Sequence, residues 1–301
     1  MPYRGRMTSD GDALETLAVW AGEERYLLDR ATQVPVVHSV GFGYDDVDEW
    51  HDVATGGAPG HIYGRNTNPT VAVFEEKLRV LEHAEAATSA STGMAAISNM
   101  LYALLAPGRR VVSVKDTYGG TSRLFTEYLP RIGIDVELVD TTDGDAVEQA
   151  MDRGCDLLYL ETPTNPTLKI IDLPRLLAAG AERGAVTVVD NTFATPVNQQ
   201  PLALGADLVV HSATKFLGGH ADALGQFLGD CRGVVAGSPV TPVTVVAAPG
   251  GDQSSDADHG GATSCCSLPN PPRHLHRHPR SLDGLAPQTE ALAHAVGARA
   301  A

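Results

Sequence analysis

Three short apolar runs decide the fold: Asp156-Leu-Leu-Tyr-Leu-Glu161, Val186-Thr-Val-Val-Asp190 and Asp207-Leu-Val-Val-His211. Each reads as a buried strand, and the stretch between the first two, Leu173 to Arg183, has helical periodicity. Working back along the chain, the alternation continues. Arg110-Val-Val-Ser-Val and Ile134 to Val139 read as strands. Thr70 to Glu82, Gly93 to Leu105, Thr121 to Tyr128 and Asp143 to Met151 read as helices. Short apolar strands alternating with helices argue for an α/β protein with a parallel sheet covered on both faces. Several of the runs end in polar residues: Glu161, Asp190, and His211 with Ser212. In open α/β sheets ligands bind beyond the carboxyl ends of the strands, so a site is expected there.

The bulk composition narrows the classes. The chain has 301 residues, 43% hydrophobic and 20% charged, with 22 Lys+Arg against 37 Asp+Glu and a formal charge of −15. That balance disfavours partners that demand a basic surface, so neither nucleic acid nor an anionic membrane is expected. No apolar run is long enough for a transmembrane helix, and Asp10, Asp12 and Glu15 do not fit a signal peptide. Cys155, Cys231, Cys265 and Cys266 make no disulfide framework. A soluble cytoplasmic protein is the default expectation. Residues 1–60 show little clear period, apart from an extended stretch at Val34 to His38, and are expected to form an N-terminal arm.

The common α/β signatures are absent: no G-x-G-x-x-G after a strand, no G-x-x-x-x-G-K-[ST] and no G-x-S-x-G. The informative stretch is Val209-Val-His-Ser-Ala-Thr-Lys215-Phe-Leu-Gly-Gly-His-Ala-Asp222. Of the four lysines, Lys215 alone follows an apolar strand and a Ser-x-Thr pair. Such an amine can form a Schiff base with a carbonyl, while Ser212 and Thr214 offer hydroxyls to a phosphate. Read alone, it is as well a surface lysine in a loop. Asp190 closes a buried strand and needs a partner, such as a protonated pyridine nitrogen; read alone, it equally fits a helix cap. Ser91-Thr-Gly93-Met94 opens a helix with free N–H groups suited to phosphate, or is a plain cap. In Tyr63-Gly-Arg65-Asn-Thr-Asn-Pro, Arg65 suits phosphate or is a solvated loop residue. Tyr118-Gly-Gly-Thr121 puts a ring before a flexible turn, or a tyrosine in the core. Glu161-Thr-Pro-Thr-Asn165-Pro is a rigid loop after a strand. Together these features converge on a pyridine aldehyde bearing a phosphate.

The stretch Tyr63 to Asp222 resembles the Cys/Met-metabolism family of pyridoxal-phosphate enzymes, and the likeness covers roughly residues 10–229 in motif order and spacing. That family includes cystathionine γ-synthases, cystathionine γ-lyases, methionine γ-lyases and O-acylhomoserine sulfhydrylases. The resemblance implies an aminotransferase-like (fold type I) domain with a mostly parallel seven-stranded sheet flanked by helices, placed at residues 61–229. It implies pyridoxal 5'-phosphate as cofactor and a homo-oligomer, a dimer of dimers with shared active sites. Lys215 resembles the Schiff-base lysine, Asp190 the partner of the ring nitrogen, and Tyr118 the ring-stacking tyrosine that moves protons at the substrate side chain. Gly93 and Met94 resemble the backbone donors to phosphate, joined by Ser212 and Thr214. Tyr63 and Arg65 resemble residues that reach the phosphate in a neighbouring subunit. Asn165 resembles the residue near the cofactor's phenolic oxygen, with Glu161 its loop partner. The implied activity is γ-elimination or γ-replacement on a small sulfur amino acid or activated homoserine. Gly120, where methionine γ-lyases tend to carry cysteine, leans toward cystathionine-type chemistry.

The remainder departs from the family. From Leu228 to Ala301 there is no Phe, Trp, Tyr, Ile, Met or Lys. Family members continue with a small α/β domain that supplies an arginine for the substrate carboxylate; here that domain is expected to be missing or degenerate. A frame-shifted or truncated coding sequence from a GC-rich gene is the preferred reading of residues 230–301, with a disordered tail the other. Neither Arg273 nor Arg280 sits in a carboxylate-binding context. The alternative function is therefore a catalytically impaired remnant or scaffold. Cys265, Cys266, His274, His276 and His278 invite a metal reading, but no C-x-x-C or H-x₃₋₅-H spacing pairs them convincingly, and no metal is expected.

Overall fold

The computed structural model describes residues 11–23 and 33–221, and the backbone of 226–230. The expectations for Asp222 and for the tail, including Arg273, Arg280 and the Cys and His residues from Cys231 onward, lie outside the described residues.

Seven strands form one sheet: β1 (Ala86–Ala90), β2 (Arg110–Val114), β3 (Asp135–Val139), β4 (Leu157–Glu161), β5 (Val186–Asp190), β6 (Leu208–Ser212) and β7 (Gln226–Asp230). Their order is β1-β7-β6-β5-β4-β2-β3. Strands β2 to β6 run parallel, while β7 lies antiparallel to both β1 and β6. The helices are α1 (Leu14–Trp20), α2 (Val47–Ala54), α3 (Pro69–Leu81), α4 (Gly93–Leu104), α5 (Gly119–Arg123), α6 (Leu129–Arg131), α7 (Gly144–Asp152), α8 (Leu173–Glu182) and α9 (Thr195–Asn198). One π-turn, Leu124–Tyr128, joins α5 to α6.

The seven-stranded, mostly parallel sheet matches the expected class, and local chemistry explains its parts. Asn68 caps α3 and Pro69 occupies its first turn, where a missing N–H costs nothing. Thr92 caps α4 by accepting from Ala95 N at 3.1 Å. Strand β4 is buried at every residue, as a central parallel strand must be. Period-two alternation then divides the core. Val112, Leu158, Leu160, Val189 and Val209 pack on one face with residues of α1, α3, α7 and α8. Val111, Leu157, Tyr159, Val188 and Val210 pack on the other with residues of α4, the π-turn and α6.

Several elements escape the sequence pattern. Strand β1 is Ala-Ala-Thr-Ser-Ala, too small and weakly β-forming to announce itself; pairing with β7 makes it a strand. Helix α2 buries no residue and α1 only Leu17, so neither shows a wide apolar stripe. Val34 to His38 is extended but joins no ladder; Val37 instead exchanges bonds with Thr70 and Asn68 at the start of α3. The helix expected over Thr121 to Tyr128 continues to Arg131 through Pro130. The widened π-turn just before Pro130 accommodates a ring that cannot donate a helix bond.

The order in which strands are added reverses between β2 and β4: β3 lies beyond β2 on one side, and β4, β5 and β6 follow on the other. The carboxyl ends of β2 and β4 therefore flank the topological switch point, where an open sheet leaves a crevice.

Candidate active site

Glu161, Asp190 and Ser212 are the last residues of β4, β5 and β6. Glu161 pairs with Asp190, and Asp190 with Val210, so the register places all three on the face that carries α4. His211, one residue out of phase, falls on the reverse face. It was expected among the strand-end residues of a site; instead it is fully buried, with Nε2 on Glu82 Oε1.

The switch point is bridged by Glu161. Its Oε2 accepts from the N–H of Tyr118 at 2.7 Å and its Oε1 from the N–H of Asn165 at 3.0 Å. One carboxylate thus ties the loop after β2 to the loop after β4. Glu161 is 3% exposed. Burial, and then the neighbouring Asp190 charge, push its carboxyl up to about 8, against the pull of those two N–H bonds.

Asp190 is 6% exposed. Its Oδ1 accepts from Thr192 N at 3.1 Å and Thr192 Oγ1 at 2.6 Å, and its Oδ2 from Tyr159 Oη at 3.2 Å. Burial raises its pKa; the Thr192 bonds, the His211 charge and the Tyr159 hydroxyl act in the opposite direction. The three groups hydrogen-bonded to Asp190 are all neutral, so the carboxylate gains no charge pairing from them. Tyr159 is itself held well above the usual phenol range, first by burial and then by the Asp190 and Glu161 charges.

Thr192 Oγ1 also accepts from Ser212 N at 2.8 Å, which fixes the loop after β6 against the loop after β5. The rings of Phe193 and Phe216 meet edge-on with centroids 5.6 Å apart and fasten the same two loops. Between these fastenings lies an exposed Lys215, in a turn closed by Lys215 N to Ser212 O at 3.0 Å and Gly218 N to Ala213 O at 2.8 Å. The turn needs glycine at Gly218, because a Cβ there would stand 2.7 Å from Ala213 O.

Helix α4 brings Gly93 and Met94 to the same face. As its first two residues, they have N–H groups with no intrahelical acceptor. Met94 lies against the Tyr118 loop: a Cβ on Gly120 would meet Met94 Sδ at 2.4 Å and Tyr118 Cε1 at 2.9 Å. Tyr118 itself is 44% exposed. Tyr63 and Arg65 sit elsewhere, in the loop before α3, with the guanidinium 4.9 Å from the Tyr63 ring centroid. Their ring contact is with each other, not with the strand-end residues.

The donor set suits a phosphorylated pyridine aldehyde. A buried carboxylate bonded to neutral groups calls for a cationic N–H, which a protonated ring nitrogen provides. Free helix N-terminal amides and the Ser212 and Thr214 hydroxyls suit a phosphate, and Lys215 supplies an amine for the aldehyde. Among the described residues no group of three metal-ligating side chains converges, and no helix is long and apolar enough to cross a membrane.

Thr192, Tyr159 and Glu82 are the residues that sequence reasoning missed. Thr192 was findable, since Asp-x-Thr is the signature of a side-chain-bonded turn. Tyr159 reads as core because its strand is apolar throughout. Glu82 carries no local signal: its partner His211 lies 129 residues away.

Residues 15–233 match the family described as Cys/Met metabolism PLP-dependent enzyme. The chain is 42% identical over 212 residues to an L-methionine gamma-lyase of Fusobacterium nucleatum subsp. polymorphum, covering 70% of this chain and 53% of that enzyme. It is 40% identical over 227 residues to the chloroplastic cystathionine gamma-synthase 1 of Nicotiana tabacum, covering 74% of this chain and 41% of that one. Among solved structures, metB from Corynebacterium glutamicum superposes with a TM-score of 0.69 at 34% identity, covering 75% of this chain and 57% of that chain. Cystathionine gamma synthase from Xanthomonas oryzae pv. oryzae, in complex with aminoacrylate and cysteine, gives 0.67 at 37% identity, covering 73% and 55%. The chain thus spans about half the length of these relatives.

Proposed function

The chain belongs to the family of Cys/Met metabolism PLP-dependent enzymes, and from that premise we propose that it acts on a small sulfur amino acid or activated homoserine by γ-elimination or γ-replacement. What supports this reading is that Asp190 and Ser212 end neighbouring parallel strands and are linked through Thr192, with Lys215 in the turn that follows. When bound, pyridoxal 5'-phosphate supplies an aldehyde for the substrate amine and a ring that accepts the electron pair left at Cα.

The protein's own residues would divide the work as follows. Lys215 would hold the aldehyde at rest and, once displaced by the substrate amine, take the proton from Cα. Asp190 would hold the ring nitrogen in its protonated form. The N–H groups of Gly93 and Met94, with the Ser212 and Thr214 hydroxyls, would bind phosphate. After a second proton has been taken from Cβ, whose electron pair would expel the substituent, Tyr118 would give a proton to the group leaving Cγ. Glu161 fixes the loops that present Tyr118 and Asn165, the latter assigned to the phenolic oxygen. Tyr63 and Arg65, half-exposed and exposed respectively in the loop before α3, would reach the phosphate in a neighbouring copy of a homo-oligomer. Residues 61–229 are read as the cofactor domain, with residues 1–60 an arm.

Purified protein mixed with pyridoxal phosphate should show the visible absorption of a lysine-bound cofactor. Lys215→Ala should abolish it, and a band surviving in that variant would refute the assignment. Release of a 2-oxo acid from cystathionine or an activated homoserine then tests turnover. The composition of Leu228 to Ala301, without Phe, Trp, Tyr, Ile, Met or Lys, favours a second reading, a chain that binds the cofactor without turning over substrate. Absorption without 2-oxo acid release would select it.

A further inference from the structure

Behind the site, on the reverse face of the sheet, lies a second polar cluster that the reaction does not use. Glu82, at the end of α3, is fully buried, as are Asn191 and His211. Glu82 Oε1 accepts from His211 Nε2 and, at 3.0 Å, from Asn191 Nδ2. Asn191 Nδ2 also donates to Gln199 O at 2.8 Å, and Gln199 Nε2 returns a bond to Asn191 Oδ1 at 2.9 Å. Gln199 Nε2 then reaches Thr162 O at 3.1 Å. Each strand-end member is the immediate chain neighbour of a site residue: Thr162 of Glu161, Asn191 of Asp190, and His211 of Ser212.

Glu82 Oε2 is buried with no hydrogen-bond partner among the described residues. A buried carboxylate with one oxygen unsatisfied costs stability, and an apolar replacement at such a place is often neutral or better. Its presence asks for a role other than holding the core. Polar networks with low-dielectric surroundings fix geometry more tightly than apolar contacts, which tolerate sliding.

We propose that Glu82, with His211, Asn191 and Gln199, is a positioning network that sets the carboxyl ends of β4, β5 and β6, and through them the orientation of Glu161, Asp190 and Ser212 toward the cofactor. This rests on the reading of Asp190 and Ser212 as cofactor-holding residues. The His211 charge also counts among the influences that favour ionised Asp190, although burial of Asp190 acts more strongly the other way.

The test uses the full chain, Glu82→Gln, His211→Gln and the double variant, each titrated with pyridoxal phosphate and followed by visible circular dichroism. The dichroism reports how the ring is held, and thermal melting of the cofactor-free protein reports the fold. Loosening of the strand ends that aim Asp190 and Ser212 predicts about tenfold weaker cofactor binding and a reduced dichroic band in each single variant. The double variant should be within about twofold of the worse single one, because the two act as a unit. Wild-type affinity and dichroism in both single variants would overturn the proposal, as would a lowered melting temperature with both readouts unchanged. If Glu82→Gln does not fold, His211→Gln, which retains a donor, carries the same readouts; collapse of both would show a core role and overturn it. A wild-type chain with no visible band beyond that of Lys215→Ala would instead mark failure of the cofactor reading.

Discussion

The two ends of the central strands handle charge in opposite ways. At the amino ends, Arg110 bonds both Asp135 and Glu137, Arg153 bonds Glu137, and Arg109 meets Asp156. Each of these carboxylates has a cation, and the cluster is partly open to water. At the carboxyl ends, Glu161 and Asp190 are neighbouring carboxyl groups, both buried and both pushed toward the protonated form, and the groups hydrogen-bonded to each are neutral. Lys169, after β4, is engaged by Asp116 at 2.8 Å. Charges that only support a fold come paired; buried carboxylates without a bonded cation mark a place made for something else.

The contrast is broken most directly at Asp190. Asp190→Asn keeps the shape and removes the charge. It should weaken pyridoxal phosphate binding about tenfold to a hundredfold, the worth of a charge-assisted hydrogen bond. The cofactor-free protein should melt no lower than wild type, because a buried charge has been relieved. Weaker binding together with a clearly lower melting temperature would make Asp190 a structural residue like those at the other end.

Glu161 tests the pH side of the same contrast. Its folded carboxyl titrates near 8, above the ordinary value of 4.5. The folded state therefore keeps a proton that the unfolded chain loses. Its contribution is fully present below about pH 4.5 and is lost as pH rises through about 8, at up to about 1.4 kcal/mol per pH unit. Melting temperatures of cofactor-free Glu161→Gln should flatten over that window relative to wild type. Parallel pH profiles would show that Glu161 does not titrate as the geometry requires.

Smaller effects are expected at the paired end. Arg110→Ala unpairs Asp135 and leaves Glu137 with Arg153 alone, at a partly exposed site, and should lower stability by about 1 kcal/mol in urea unfolding. Cofactor affinity should stay at the wild-type value; a fall would mean that the two ends are coupled. Smallest of all is Arg123→Ala, which removes an exposed i,i+4 pair with Glu127. No change in melting temperature is expected beyond measurement scatter.

Much of this was legible in the chain itself. Strands β2 to β6 announce themselves as apolar runs, and α3, α4, α7 and α8 as periodic ones, because burial on a sheet or helix face imposes a period on neighbouring residues. Asp190 and Ser212 stood out as candidates because they end apolar strands, and Thr214 and Lys215 because they follow one directly. Strand β1 was not, since five small residues become a strand only by pairing with β7. Nor was α2, which buries nothing.

What remained for the folded chain to decide was which face each polar residue takes and what it meets there. His211 and Ser212 are adjacent in sequence, yet one is sealed against Glu82 while the other closes on Thr192 at the site. That division follows from the register of β6 against β5. The bond from Tyr118 to Glu161 spans 43 residues and that from His211 to Glu82 spans 129. No local pattern encodes such contacts, because side-chain periodicity constrains neighbours along one element, while the juxtaposition of strand ends is set only when the whole sheet assembles.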